Sequence, residues 1–132
     1  MRTMLAFLVI FILVSCESGN DKPIKSDKPE QLIEVKNGVY SEWYPGKKQL
    51  KFHGALDKKG NRNGKWVFYS DRGTELSITV YENGKRQGFS IVKYPNGAIH
   101  YRGEYLNDTM IGIWTTYNEK GKVISEKDYG LK

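Results

Sequence analysis

The sequence carries one cysteine, two histidines and four prolines in 132 residues. A lone cysteine, Cys16, excludes an intramolecular disulfide. The histidines, His53 and His100, stand far apart, so no Cys/His cluster has the spacing of a metal site. No glycine-rich phosphate loop and no nucleophile elbow occurs. Glu42, Glu75, Glu104 and Glu126 are scattered along the chain. These shortages set the expectation of a non-enzymatic protein that needs no cofactor and no metal. A small hydrolase, whose carboxylates converge only in space, is the alternative.

Long apolar runs are also scarce. The one that exists, MLAFLVIFILV at positions 4–14, follows a short positive leader, Met1-Arg2-Thr3. A membrane-spanning helix needs about 20 apolar residues, so this run reads as the core of a signal peptide. Leu13-Val14-Ser15-Cys16 resembles the bacterial lipobox. The resemblance implies a signal peptide over 1–15, and a Cys16 that receives a diacylglyceryl group and becomes the first mature residue. Acyl chains contribute about 0.8 kcal/mol per buried CH₂, so such a protein is expected to be anchored through its N-terminal lipid to the membrane of the cell envelope. The following stretch, ESGNDKPIKSDKPEQ, has Ile24 as its only large apolar residue. It cannot bury enough surface to offset the entropy of ordering, and 16–35 is read as the lipidated cysteine and a flexible linker.

The remaining residues, 36–132, suffice for one domain. Here the chain repeats itself. Gly64, Gly88 and Gly112 are spaced alike, as are Gly73, Gly97 and Gly121, and Tyr81, Tyr105 and Tyr129. The step between successive members is always 24 positions, counted from the numbering itself. Residues 65–69, 89–94 and 113–117 are β-branched and aromatic runs closed by SDRG, PNG and NEKG, which is hairpin-turn chemistry. Second strands alternate, with Leu76, Ile78 and Val80 set against Ser77 and Thr79. GVYSEWYPG, from Gly38, opens a degenerate earlier unit. The expected fold is all-β, an elongated antiparallel meander of four hairpins and eight strands.

The recurring Gly-x-Trp-x-x-Tyr, seen at 64–69 and 112–117, resembles the variant class of MORN (membrane occupation and recognition nexus) repeats of bacterial proteins. The unit at 88–94 departs from it, with Ser90 in place of tryptophan and one extra residue before Tyr94. The resemblance implies side-by-side hairpins and a binding or scaffolding role, with an antitoxin or immunity-type protein as a further alternative.

Trp66, Trp114, Tyr69, Tyr94 and Tyr117 are expected to stack between neighbouring hairpins, each of which lacks a core alone. A ligand-binding aromatic row is the rival reading, so Trp66 and Trp114 are kept as candidate contact residues. The chain has 21 Lys and Arg against 15 Asp and Glu. Many of these cations fall at turns, among them Lys58, Lys59, Lys85 and Arg86. Solvated hairpin tips account for such a pattern, and a basic edge facing anionic lipid or polysaccharide would use the same residues. An exported chain is not expected to meet nucleic acid. The expected partners are the membrane, an envelope protein or polysaccharide, and a second copy through a sheet face. Asp108-Thr109-Met110 resembles a short O-glycosylation pattern of exported proteins.

Overall fold

A computed structural model describes residues 31–131. The signal peptide, Cys16 and all but the last five positions of the expected linker lie outside the described residues. Within them the chain forms nine strands: β1 Ile33–Lys36, β2 Val39–Trp43, β3 Leu50–Leu56, β4 Arg62–Tyr69, β5 Glu75–Glu82, β6 Lys85–Lys93, β7 Ile99–Leu106, β8 Thr109–Tyr117 and β9 Val123–Asp128. They make one sheet in sequence order, and every pairing is antiparallel. The fold is the all-β meander of hairpins. It has nine strands rather than the eight expected, because β1 adds an N-terminal edge strand that starts inside the segment read as linker. The cause is local. Asn37 and Gly38 have φ of 52° and 73°, the two left-handed residues of a type I′ hairpin turn, and they fold Ile-Glu-Val-Lys back onto β2.

Two kinds of reversal join the strands, and they alternate from β4 onward, the β3–β4 loop at 57–61 being of the longer kind. Asn83-Gly84 and Asn107-Asp108 also take positive φ at both positions and link one unit to the next by two-residue turns. Within a unit the loops are longer. The Ser70 amide donates to the Thr74 carbonyl and the Gly73 amide to the Ser70 carbonyl, a pattern repeated at 94–98 and 118–122. The leading glycines of the repeat, Gly64, Gly88 and Gly112, have φ of 73°, 95° and 58° inside strands β4, β6 and β8, a backbone shape that disfavours other residues.

No second layer covers this sheet among the described residues, and both of its faces reach solvent. Few side chains are buried: Trp66, Val67 and Trp114 among the apolar ones, Ser90 and Thr115 among the polar. Trp66 and Val67 are neighbours in β4 and so point to opposite faces. Strong contacts run only between strands adjacent in sequence. The sheet is therefore held by cross-strand pairs and nearest-neighbour packing, in the manner of a repeat protein.

Candidate functional site

Register assigns each side chain to a face. Tyr40 pairs with Gly54, Gly54 with Trp66, Trp66 with Thr79, Thr79 with Ser90, and Ser90 with Gly103. Trp114 then pairs with Lys127. This row runs across one face of the sheet. Flanking it on that face are Phe52, Phe68, Val92 and Tyr101 on one side, and Tyr81 and Tyr105 on the other.

The two tryptophans lie flat over glycines. A Cβ on Gly54 would come within 2.3 Å of the Trp66 ring, and one on Gly103 within 2.2 Å of Trp114. Each indole N–H is satisfied from the adjacent strand, Trp66 donating to the Ala55 carbonyl at 2.9 Å and Trp114 to the Glu104 carbonyl at 3.2 Å. The middle unit solves the same position differently: Thr79 replaces the glycine, Ser90 replaces the tryptophan, and their hydroxyls meet at 2.9 Å. The departure at Ser90 is thus one half of a paired change.

Aromatic packing clusters at the two tryptophan units. Trp66 has Phe52 at 4.9 Å, Tyr40 at 5.4 Å and Tyr81 at 6.2 Å between ring centroids. Trp114 has Tyr105 at 4.9 Å and Tyr101 at 6.1 Å. In the first cluster the chain supplies its own cation: the Arg62 guanidinium lies 4.7 Å from the Phe52 centroid, 4.8 Å from Trp66 and 5.4 Å from Tyr81. One repeat later Arg86 lies 4.1 Å over Tyr105. One repeat later again the equivalent residue is Met110, which carries no charge. There the face opens into a groove of about 450 Å³, lined by Tyr101, Tyr105, Met110, Trp114, Lys127 and Tyr129, with Thr116 and Ser125. The Lys127 ammonium sits 4.6 Å over Tyr129. Flat aromatic walls, hydroxyls and a cation together suit a ligand with an apolar ring face and polar edges.

The opposite face carries Val67, Ile78, Ile91, Arg102 and Thr115 in one row. Beside it Phe89 and Ile113 are 49% and 61% exposed and border a smaller hollow, about 370 Å³, with Glu104.

The candidate residues separate into groups. Lys58 and Lys59 are exposed in the turn before β4, and Lys85 is exposed at the start of β6, all at the sheet end where one unit passes to the next. Arg86 is not a free cation. Its Nε donates to Asp108 Oδ1 at 3.0 Å and its Nη2 to the Asp108 carbonyl at 3.2 Å. Its backbone amide holds the same carboxylate, and these bonds keep the Asp108 carboxyl below its usual range. Trp66 and Trp114 are only 2% and 5% exposed, so they shape the aromatic face largely from beneath, and Trp114 also lines the groove. Sequence reasoning missed Gly54, Gly103 and the Arg62/Arg86/Met110 series. The signal available for the first two was a glycine in mid-strand, which marks a close approach.

Of the four carboxylates considered, Glu42 accepts from Lys51 at 2.7 Å, which lowers its proton affinity, and Glu75 accepts from Lys93 at 2.6 Å. Glu126 accepts from the Thr115 hydroxyl at 3.3 Å. The four lie on β2, β5, β7 and β9, so at least one strand intervenes between any two. His53 Nδ1 meets the Ser41 hydroxyl at 3.1 Å, and the His100 ring stacks on Tyr94 at 4.3 Å. Thr109, exposed, opens β8. Among the described residues no group of three or more His, Cys, Asp or Glu could hold a metal ion. No helix among them is long and apolar enough to cross a membrane. In comparisons with protein-family models and with curated proteins, nothing matches this chain.

Proposed function

We propose that the chain is a non-catalytic binding or scaffolding module of the bacterial cell envelope, anchored through a lipid on Cys16 and built from MORN-like hairpin repeats. One observation carries the binding reading: among the described residues a single-layer sheet leaves an aromatic face uncovered, and that face opens into a groove at the last repeat, where Met110 stands in the place of Arg62 and Arg86. The ligand is an envelope polysaccharide or an envelope protein that presents a ring face to Tyr101 and Tyr129 and an acceptor to Lys127. Lys58, Lys59 and Lys85 add a basic rim at one end of the sheet, which strengthens attraction to anionic partners at low salt.

Crosslinking in intact cells, followed by identification of the captured species, tests this reading. A polysaccharide or protein should be recovered with the native chain. Recovery should drop about tenfold with Tyr101→Ala combined with Lys127→Glu, a loss of roughly 1.4 kcal/mol. Neutralising Lys58, Lys59 and Lys85 together should weaken recovery mainly at low ionic strength. Turnover of an envelope polymer that vanishes when one carboxylate is replaced, with no captured partner, would show that the chain is a hydrolase instead.

A further inference from the structure

The N-terminal edge of the sheet has a pattern that fits a second copy of itself. Among the described residues β1 has one neighbour, β2, and nothing pairs with its other side. In a two-residue hairpin the residues flanking the turn, Lys36 and Val39, exchange both backbone hydrogen bonds. Inward bonding then alternates, so Glu34 and Leu32 also face β2; the Leu32 carbonyl indeed accepts from the Trp43 amide at 2.8 Å. The N–H and C=O groups of Ile33 and Val35 therefore point away from the sheet. The same two residues carry exposed apolar side chains, 48% and 57% accessible, on the aromatic face.

We propose that two copies of the chain join edge to edge through β1, antiparallel about a two-fold axis at Val35. In this register Val35 opposes Val35 of the second copy, and the two exchange N–H···O=C bonds. Glu34 of each copy opposes Lys36 of the other, at the non-hydrogen-bonded positions where opposed side chains approach most closely. Two ion pairs form by symmetry. Of the other centres within the strand, Glu34 would set two like carboxylates against each other, Lys36 two like ammonium groups, and Ile33 would pair Glu34 with Leu32 and form no ion pair. Glu34 is available for this exchange, since its present contact with Lys47 is long, 3.9 Å, between half-exposed side chains. A two-fold axis normal to the sheet keeps the two aromatic faces on one side, which doubles the continuous surface.

At the far edge, β9, centring a pair on Glu126 or on Lys127 opposes like charges and centring it on Ser125 sets Ile124 against a glutamate, whereas a centre at Ile124 opposes Glu126 to Lys122. Reversals at Glu34 and Lys36 separate the two edges, since neither residue lies on β9.

Charge reversal tests the register. The full-length chain in mild detergent should be dimeric by native mass spectrometry at micromolar concentration. Glu34→Lys or Lys36→Glu alone turns both symmetric pairs repulsive and should raise the dimer Kd about tenfold or more. Carrying both changes, E34K/K36E, restores opposite charges across the axis and should return the Kd to within about threefold of the native value. Circular dichroism of the single variants should show an unchanged sheet. In hydrogen exchange, the Val35 amide should gain protection as concentration rises while the Glu34 amide, already bonded to β2, should not. A chain that stays monomeric, or a dimer indifferent to the single reversals, overturns the proposal, as does a double variant no better than the singles.

Discussion

Glycine and tryptophan act here as one unit of structure. The Trp66 and Trp114 rings occupy the space that a side chain at Gly54 or Gly103 would fill, so each ring requires glycine at its partner position. Thr79 and Ser90 occupy the corresponding places in the middle repeat. Ser90→Trp should cost about 1–3 kcal/mol, because the indole meets the Thr79 side chain. Thr79→Gly with Ser90→Trp should recover most of that loss and show a coupling of at least about 1 kcal/mol in a double-mutant cycle measured by urea unfolding. An additive result would mean that ring and glycine do not communicate. Removing a ring outright is a harsher change: Trp114→Ala should cost roughly 3–5 kcal/mol, whereas Ile113→Ser, on an exposed position next to it, should cost little.

At the level of the element, the turns between repeats combine backbone strain with side-chain pairing. Asp108 sits at a φ of 69° and its carboxylate binds both the Arg86 amide and the Arg86 guanidinium. Asp108→Gly relieves the backbone and loses only the pairing, whereas Asp108→Ala loses the pairing and puts an alanine at positive φ, which costs about 1–2 kcal/mol. The glycine variant should therefore be the more stable of the two. The Arg86 bonds depress the Asp108 pKa, chiefly through the backbone amide, and the Lys51 bond depresses that of Glu42. A depressed carboxylate contributes stability that is complete above its unfolded value of about pH 4 and lost as pH falls through the lower folded value. Urea midpoints should thus be flat from neutrality down to about pH 5 and decline below about pH 4. Asp108→Gly should decline less on acidification than the native chain, and equal acid sensitivity of the two proteins would remove Asp108 from that account.

On the scale of the whole molecule, the sheet has no centre. Each strand leans on its sequence neighbours, and the buried side chains are spread over β4, β6 and β8 with no common core. Stability in such an array is close to a sum of repeat and interface contributions. Ending the chain after Tyr117 removes β9 and the Tyr129 and Gly130 bonds to Gly112, yet leaves Trp114 on Gly103. The shortened protein should keep a β-type circular dichroism spectrum and melt at a lower temperature than the full chain. Complete unfolding at 25 °C would point to long-range cooperativity that strand-by-strand packing does not supply. Among the described residues the same single layer leaves both faces open, and the proposed partner at the aromatic groove near β9 and the proposed second copy at β1 both depend on that.

The amino-acid sequence by itself determined the all-β meander, the in-phase hairpins and their turns. These depend on local chemistry: β-branched and aromatic alternation, and glycine or asparagine at most positions where φ is positive. It also singled out Trp66 and Trp114 as the packing residues of the repeat. Only the tertiary structure decided what those residues face. Whether Arg86 is a free cation depends on Asp108 being brought beside it across a turn, and whether a tryptophan is a contact surface depends on the glycine one strand away. β1 escaped the sequence reading because four residues beyond a polar stretch carry too little periodicity to register as a strand, while two residues at positive φ suffice to fold them back. Faces and registers arise from pairing between strands. A one-residue slip would exchange the aromatic face for the other, and nothing short of the assembled sheet settles that choice.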